Sequence, residues 1–318
     1  MKKKNIKYNK FIEIMGEEVR IEEELSKYTT FKIGGKADLF CLVKSEDILI
    51  RAVKVADELE IPFVVMGSGS NILVSDEGYR GLVIKNENKE KIEIFDENKI
   101  FVNSGVSLSE LLEFSADNSL AGLDLLAGIP GSVGGAIYMN AGAFGCTIGE
   151  HILSGKVIDK SGNLYELNKG EFSFGYRSSR LQKSGEILVS IVLKLIKGEK
   201  EKIYNKINEI IEIRRKKHPD KTVPCAGSYF KNIIISGQME KREPAGFYLE
   251  KAGLKGMQCG GAKVFEKHAN FIINTGEAKS SDVLKLARIM KDKVKKLFGI
   301  ELNEEVVYLD DIKGFSKL

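Results

Sequence analysis

Eight glycines fall between Gly122 and Gly149, in the run GLDLLAGIPGSVGGAIYMNAGAFGCTIG. Glycine at this density disfavours a long helix or a regular strand, because each residue loses the most backbone freedom on ordering. The segment is nevertheless apolar, with Leu, Ile, Val, Tyr, Met and Phe interleaved, so it is expected to pack rather than to link. It suits a backbone that must turn sharply, or approach something closely, at many points. The whole chain shares the bias: glycine is 32 of 318 residues, proline only 5, and tryptophan is absent. No Gly-X-Y period exists, which excludes collagen, and the low proline excludes a proline-rich linker protein.

Within this run, GIPGSVGGA (128–136) has the chemistry of an anion cradle. Pro130 fixes φ, Gly131, Gly134 and Gly135 remove side chains, and Ser132 supplies a hydroxyl. MNAGAFG (139–145) continues the pattern. An earlier cluster, GSGSN (67–71), follows an apolar strand and carries three further side-chain donors, Ser68, Ser70 and Asn71. It lacks the G-K-[ST] ending of a P-loop and fails G-x-G-x-x-G, because Ile72 takes the last position. Taken alone, it reads equally well as a tight β-turn. Two such loops fit the closure of backbone on one diphosphate, and the apolar residues between them fit a large flat body. These residues point to a dinucleotide and leave flavin and nicotinamide both open.

Charge is nearly balanced, 49 basic against 45 acidic side chains, in a chain 43% hydrophobic. Nothing here argues for nucleic acid. Residues Asn5 to Lys10 are polar, so the basic start is not followed by a signal-peptide core, and no apolar stretch is long enough for a membrane span. Cys41, Cys146, Cys225 and Cys259 form no C-x-x-C and read as reduced thiols of a cytoplasmic protein.

Along the chain, residues 37–43 read as a strand, Ser45 starts a helix that Pro62 stops, and 63–66, 72–75 and 81–85 are short strands. Residues 91–102 alternate as exposed strands, and Ser107 with Glu110 forms a capping box. Strands are expected at 155–167 and 187–196, and an amphipathic helix after 198. A second long helix spans 281–298, with Val283, Ala287, Met290, Val294 and Leu297 on one stripe and Gly299 as its stop. Residues 306–309 form a last strand. The fold class is α+β, with a nucleotide-binding half to about 200 and a second half beyond it.

Ordered blocks from residue 28 to 306 then carry a resemblance: YTTFKIGGKADL, GSGSNILVSDEGYRGLVI, LAGIPGSVGGAIYMNAGAFG, FGYRSSR, AGSYFKN, AGFYLEKAGLKG, GGAKVFEKHANFIINTG and LNEEV. The chain resembles the UDP-N-acetylenolpyruvoylglucosamine reductase family, in its shorter (type II) form. The resemblance implies an FAD-binding fold of the PCMH/vanillyl-alcohol-oxidase type, made of two α+β subdomains over residues 1–200. It also implies an α+β substrate domain over 201–300, with the C-terminal strand (300–318) able to pack back on the first. It implies noncovalent FAD, NADPH as electron donor and a monomeric protein. Thr30, Ile33, Gly34, Gly35, Gly67, Ser68, Gly69, Ser70, Asn71, Ile129, Pro130, Gly131, Ser132, Gly134, Gly135, Asn140, Ala141 and Gly142 match the cofactor positions. Arg177, Ser228 and Glu305 match the catalytic ones, and Tyr176, Lys217 and Asn232 the substrate ones. The stretch Ile233–Pro244 is longer than usual for the family, and Phe265 replaces its common serine.

The implied chemistry suits these residue types. Adding hydride to an enolpyruvyl ether leaves charge at C2 and on the carboxylate. A guanidinium matches the carboxylate, a hydroxyl can give the proton to C2, and a carboxyl group beside them can polarise the donor or bond the intermediate. Alternation in a strand turns only one of Glu304 and Glu305 inward, and Glu305 is the better match. A flavin-binding module without catalysis and a flavin oxidase with a tethered cofactor are the rival classes. His151, His218 and His268 are neither paired nor at metal-ligand spacing, so structural roles and no metal are expected.

Overall fold

The computed structural model describes residues 2–235 and 238–316, and its α+β content matches the expectation. The chain forms two compact units, residues 1–23, 38–68 and 81–214 in unit 1, and 24–37, 69–80 and 215–318 in unit 2.

Unit 1 holds two cores. In the first, the strand Lys36–Val43 leads into the helix Glu46–Glu58, whose N-cap Ser45 accepts a hydrogen bond from Ile48 N. Leu49, Ala52, Val53, Val55 and Ala56 make the buried face of that helix. Phe63–Met66 then pairs in parallel with Tyr79–Asn86. Full burial on both faces suits a parallel strand, and seven of the last strand's eight residues are buried, all but Arg80. The second core lies on an antiparallel sheet ordered Leu164–Asn168, Ile152–Ile158, Ile187–Lys194, Lys99–Asn103 and Ile92–Asp96. The capping box at Ser107 is present, with Glu110 N bonding Ser107 Oγ at 3.1 Å and Ser107 N bonding Glu110 at 2.8 Å. The glycine-dense run contains one short helix, Val133–Tyr138, which composition concealed. Ser132 caps it, and burial of Val133, Ala136 and Ile137 overrides the poor propensity of Gly134 and Gly135.

Unit 2 is built on the sheet of Cys225–Ser228, Phe271–Asn274, Ala262–Val264 and Gln258–Cys259. The helix Ser280–Phe298 buries Val283, Leu286, Ala287, Met290 and Val294 and ends at Gly299, whose φ is 69°. Leu297, expected on the same stripe, is 54% exposed, so the stripe ends a turn before the helix does. The extra residues after Asn232 form a hairpin, Ile233–Ile235 against Gln238–Glu243; Ser236 and Gly237 lie outside the described residues.

These compact units differ from a single cut near residue 200. Two early segments join the C-terminal part, for reasons visible in the backbone. Ile72–Val74 pairs in parallel with Val307–Asp310. Asp76 accepts hydrogen bonds from Ser280 N (2.6 Å) and Ser281 N (3.1 Å), so an early loop caps a late helix. No helix among the described residues is long and apolar enough to cross a membrane.

Candidate active site

In unit 1 the first and second glycine clusters touch. A Cβ placed on Gly67 would stand 2.1 Å from Ser132 Oγ and 3.2 Å from Ser132 Cβ. The first loop therefore needs glycine because the second loop occupies that space. Ser132 Oγ meanwhile accepts from Gly135 N at 3.3 Å. Val133 N and Gly134 N bond Val106 O and Ser104 O, and Gly131 O accepts from Leu108 N, so the second loop is strapped to the turn at 104–108. Gly128 and Gly131 have φ of 77° and 137°, conformations that side chains avoid. Ser68 is exposed, while Ile129 packs against the core.

Asn140 works mainly as a staple. It is buried at φ 44°, its Nδ2 donates to Gly175 O (2.9 Å), and its Oδ1 accepts from Gly149 N (3.1 Å). Ala141 O accepts from Ile148 N. Gly142 is packed so closely that a Cβ would lie 2.6 Å from Cys146 O. Its carbonyl accepts from Arg177 Nη2 at 2.9 Å. Arg177 itself sits at φ 50°, and its guanidinium lies 5.2 Å from the Tyr176 ring centre. A non-glycine residue held in this region is backbone strain of the kind found at working sites.

Arg214 opens a run of four basic residues at the end of the helix Lys200–Lys217, yet it is not simply solvated. Instead its guanidinium lies 5.7 Å from the Phe144 ring centre, and its Cδ fills the space of a Gly128 Cβ, 2.8 Å away. Its Nε is buried and has no hydrogen-bond partner among the described residues. Burial, and then the positive charge of Arg177, push its pKa down. The sequence signal that could have found it is Ile210, buried one turn earlier on the same helix, which turns Arg214 inward.

In unit 2, Thr30 binds the first glycine cluster and the Ser228 strand together. Its N–H donates to Gly69 O (3.2 Å) and its Oγ1 to Cys225 O (2.7 Å). A Cβ on Gly69 would come within 2.2 Å of Tyr28 O, one on Gly34 within 2.7 Å of Val74, and one on Gly35 within 2.2 Å of Asp76 O. These three glycines are thus required by protein packing, and Ile33 is buried beside them. Asn71 Nδ2 donates to Glu305 O (3.0 Å), and Asn71 O accepts from Val307 N (3.0 Å).

Ser228 ends its strand after Gly227, at φ 77°, opposite Phe271 across a register shift. The next carbonyl, Tyr229 O, accepts from Glu305 N at 2.8 Å. Ser228 and Glu305 therefore sit on directly bonded backbone segments, locked further by Asn270, which donates to Phe230 O and accepts from Phe230 N. Glu304 points its carboxylate at Lys291, 2.7 Å away, and its side chain is 9% exposed. Lys217 ends the helix Lys200–Lys217 and is exposed, as is Asn232, whose Oδ1 accepts from Ala245 N. Ser70 and Pro130 also have polar or ring contacts.

The three histidines are not isolated, contrary to the sequence expectation. His218 meets His268 edge-on at 5.8 Å, and both contact Phe271. His151 Nε2 is 3.7 Å from Cys146 Sγ. Sequence separation hid the first pair, while the second, five residues apart, is brought together by the 3-10 turn Ile148–Glu150.

Residues 37–168 match an FAD binding domain, and residues 218–309 match the C-terminal domain of UDP-N-acetylenolpyruvoylglucosamine reductase. Curated relatives of that name include one from Clostridium tetani, 40% identical over 95% of this chain and 96% of the relative. Another, from Halalkalibacterium halodurans, is 41% identical over 91% and 93%. Among solved structures, the reductase of Thermus caldophilus superposes with a TM-score of 0.75 and 33% identity, covering 91% of this chain and 99% of that one.

Proposed function

The chain belongs to the UDP-N-acetylenolpyruvoylglucosamine reductase family, and on that premise we propose that it reduces UDP-N-acetylenolpyruvoylglucosamine to UDP-N-acetylmuramate for peptidoglycan precursors. The observation that supports this best is the direct backbone bond from Glu305 N to Tyr229 O, which holds a hydroxyl donor and a carboxyl group on neighbouring segments.

The cofactor is FAD, and the residues present fit it. The contact of Gly67 with the Ser132 side chain brings two glycine-rich loops together, a pairing suited to a diphosphate. Gly67, Ser68, Ile129, Pro130, Gly131, Ser132, Gly134 and Gly135 would hold it from unit 1, with Asn140, Ala141 and Gly142. The other positions that match the family's cofactor residues, Thr30, Ile33, Gly34, Gly35, Gly69, Ser70 and Asn71, belong to unit 2. When bound and reduced by NADPH, the flavin supplies hydride to C3 of the enolpyruvyl group. Binding is noncovalent, in keeping with the absence of histidine from both glycine clusters and the burial of the Cys146 thiol just past the second.

Arg177 pairs with the substrate carboxylate and holds the charge that develops on it, with Arg214 adding positive field beside it. Ser228 gives its proton to C2. Glu305 bonds the intermediate or polarises that donor. Lys217 and Asn232 contact the nucleotide part of the substrate, and Tyr176, whose ring lies 5.2 Å from the Arg177 guanidinium, contacts the substrate as well. The protein works as a cytoplasmic monomer without nucleic acid.

The test separates the two half-reactions. Ser228→Ala should keep FAD and its reduction by NADPH, and should slow flavin reoxidation by substrate about 10²-fold or more. Wild-type rates of reoxidation in that variant would remove Ser228 from the chemistry.

A further inference from the structure

Cys146, Glu150 and His151 play no part in the reduction, yet each presents a ligand atom, and these atoms all lie within 4.8 Å of one another. We propose that they form a binding site for a zinc-class divalent cation. The key distance is Cys146 Sγ to His151 Nε2, 3.7 Å. With Zn–S of about 2.3 Å and Zn–N of about 2.0–2.1 Å, two ligands on one tetrahedral zinc stand roughly 3.6 Å apart. The thiol and imidazole are thus already at the separation that a shared ion needs.

The backbone holds them there. Cys146 lies in a two-residue strand paired with Gly142–Ala143, and Ile148–Glu150 is a single 3-10 turn that leads into His151. Both atoms converge on Gly122. Cys146 Sγ is 3.4 Å from its carbonyl, and the His151 ring occupies the place of its missing Cβ, with Cε1 2.8 Å away. Glu150 is fixed by its own capping box, and both bonds from Thr147 fall on Oε1, so the second carboxylate oxygen takes no part in that box. Cys146 is 8% exposed, while Glu150 is exposed and His151 partly so. An ion would be shielded on the thiol side and could take water as a fourth ligand.

The donor set decides the class of ion. A thiolate and an imidazole favour Zn²⁺, Co²⁺ or Cd²⁺ over Mg²⁺ and Ca²⁺, which prefer oxygen throughout. Cys146 binds by losing its thiol proton to solvent as the S–metal bond forms, while the imidazole and carboxylate bind through existing lone pairs. The consequence for the fold is a clamp. Residues 142–151 include Gly142, whose carbonyl holds Arg177, and Gly149, which holds Asn140. A cation would close this segment on itself.

The test uses chelator-treated holoenzyme with ZnCl₂, titrated in competition with a chromophoric chelator, and CoCl₂ as a spectroscopic probe. The expected result is one Zn²⁺ per chain, weakened at least tenfold in Cys146→Ser and in His151→Gln, and less in Glu150→Gln. Co²⁺ should give a thiolate charge-transfer band in difference spectra that Cys146→Ser lacks. Retained FAD in each variant reports folding, and His151→Gln stands in where Cys146→Ser fails to fold. No stoichiometric binding, or binding unchanged in both the cysteine and histidine variants, overturns the proposal. Because binding is read without turnover, failure here leaves the reductase assignment intact, and the reverse holds too.

Discussion

Gly67→Ala tests the contact on which the diphosphate cradle depends. The new Cβ would lie 2.1 Å from Ser132 Oγ, so that hydroxyl must swing away. Swinging costs the cap on Gly135 N, about 1 kcal/mol. The remaining approach of the two Cβ atoms, 3.2 Å, is tight and adds crowding. Overpacking of this kind costs about 1–3 kcal/mol, offset by less than about 1 kcal/mol from the stiffer unfolded chain. Ser132→Ala alone loses the cap, again about 1 kcal/mol. The double variant has no hydroxyl to displace and loses the cap only once. Its cost should therefore fall short of the sum by about 1 kcal/mol, and the unfolded-state terms cancel in the cycle. The assay is urea unfolding of flavin-free protein at constant slope, alongside FAD affinity of each variant. A loss of 1.4 kcal/mol in binding reads as a tenfold weaker Kd. Strictly additive costs in both measurements would refute the claim that these loops make one cradle.

Three other outcomes follow from the geometry. Glu304→Ala removes the partner of Lys291 and should cost about 1–3 kcal/mol of stability with kcat nearly unchanged, whereas Glu305→Gln should lower kcat about 10²-fold at wild-type stability; a reversed pattern would swap the two assignments. Asp76→Asn should destabilise the protein by about 1 kcal/mol through the weakened cap on Ser280–Phe298, read from the urea midpoint. Burial pushes the Asp76 carboxyl up, but the hydrogen bonds from Ser280 and Ser281 outweigh it and hold the group below its ordinary 3.8. A depressed carboxyl contributes stability that is present above the unfolded value and lost as pH falls through the folded one. The gap between wild type and Asp76→Asn should therefore be constant above about pH 5 and close below 3.8. A gap that instead widens toward low pH would contradict the assigned bonds.

Local signals in the sequence were read well where the cause was local. Ser45, the Ser107–Glu110 box and Gly299 mark helix ends by chemistry confined to a few residues, and each stands where expected. What escaped depends on distant partners. Helix Val133–Tyr138 was hidden by Gly134 and Gly135, and only its buried face and Ser132 make it form. The C-terminal strand was expected to be able to pack back on the first part of the chain, and Val307–Asp310 does pair with Ile72–Val74, though no window of sequence names that neighbour. Arg214 is the first of four consecutive basic residues, and only the fold sets it against Phe144 and Gly128. The glycine surplus was legible as close approach of backbone, and several of these glycines are closely approached by the protein itself. Gly67 makes room for the opposite loop, while Gly34, Gly35, Gly69 and Gly142 make room for the protein's own backbone and side chains.

The most direct measurement of the central claim is NADPH oxidation by the FAD-loaded protein with and without UDP-N-acetylenolpyruvoylglucosamine, with the nucleotide product identified by mass. The account predicts rapid oxidation only with the substrate present, and one UDP-N-acetylmuramate formed per NADPH consumed. Oxidation at the same rate without that substrate, or no product heavier by two hydrogens, would contradict it.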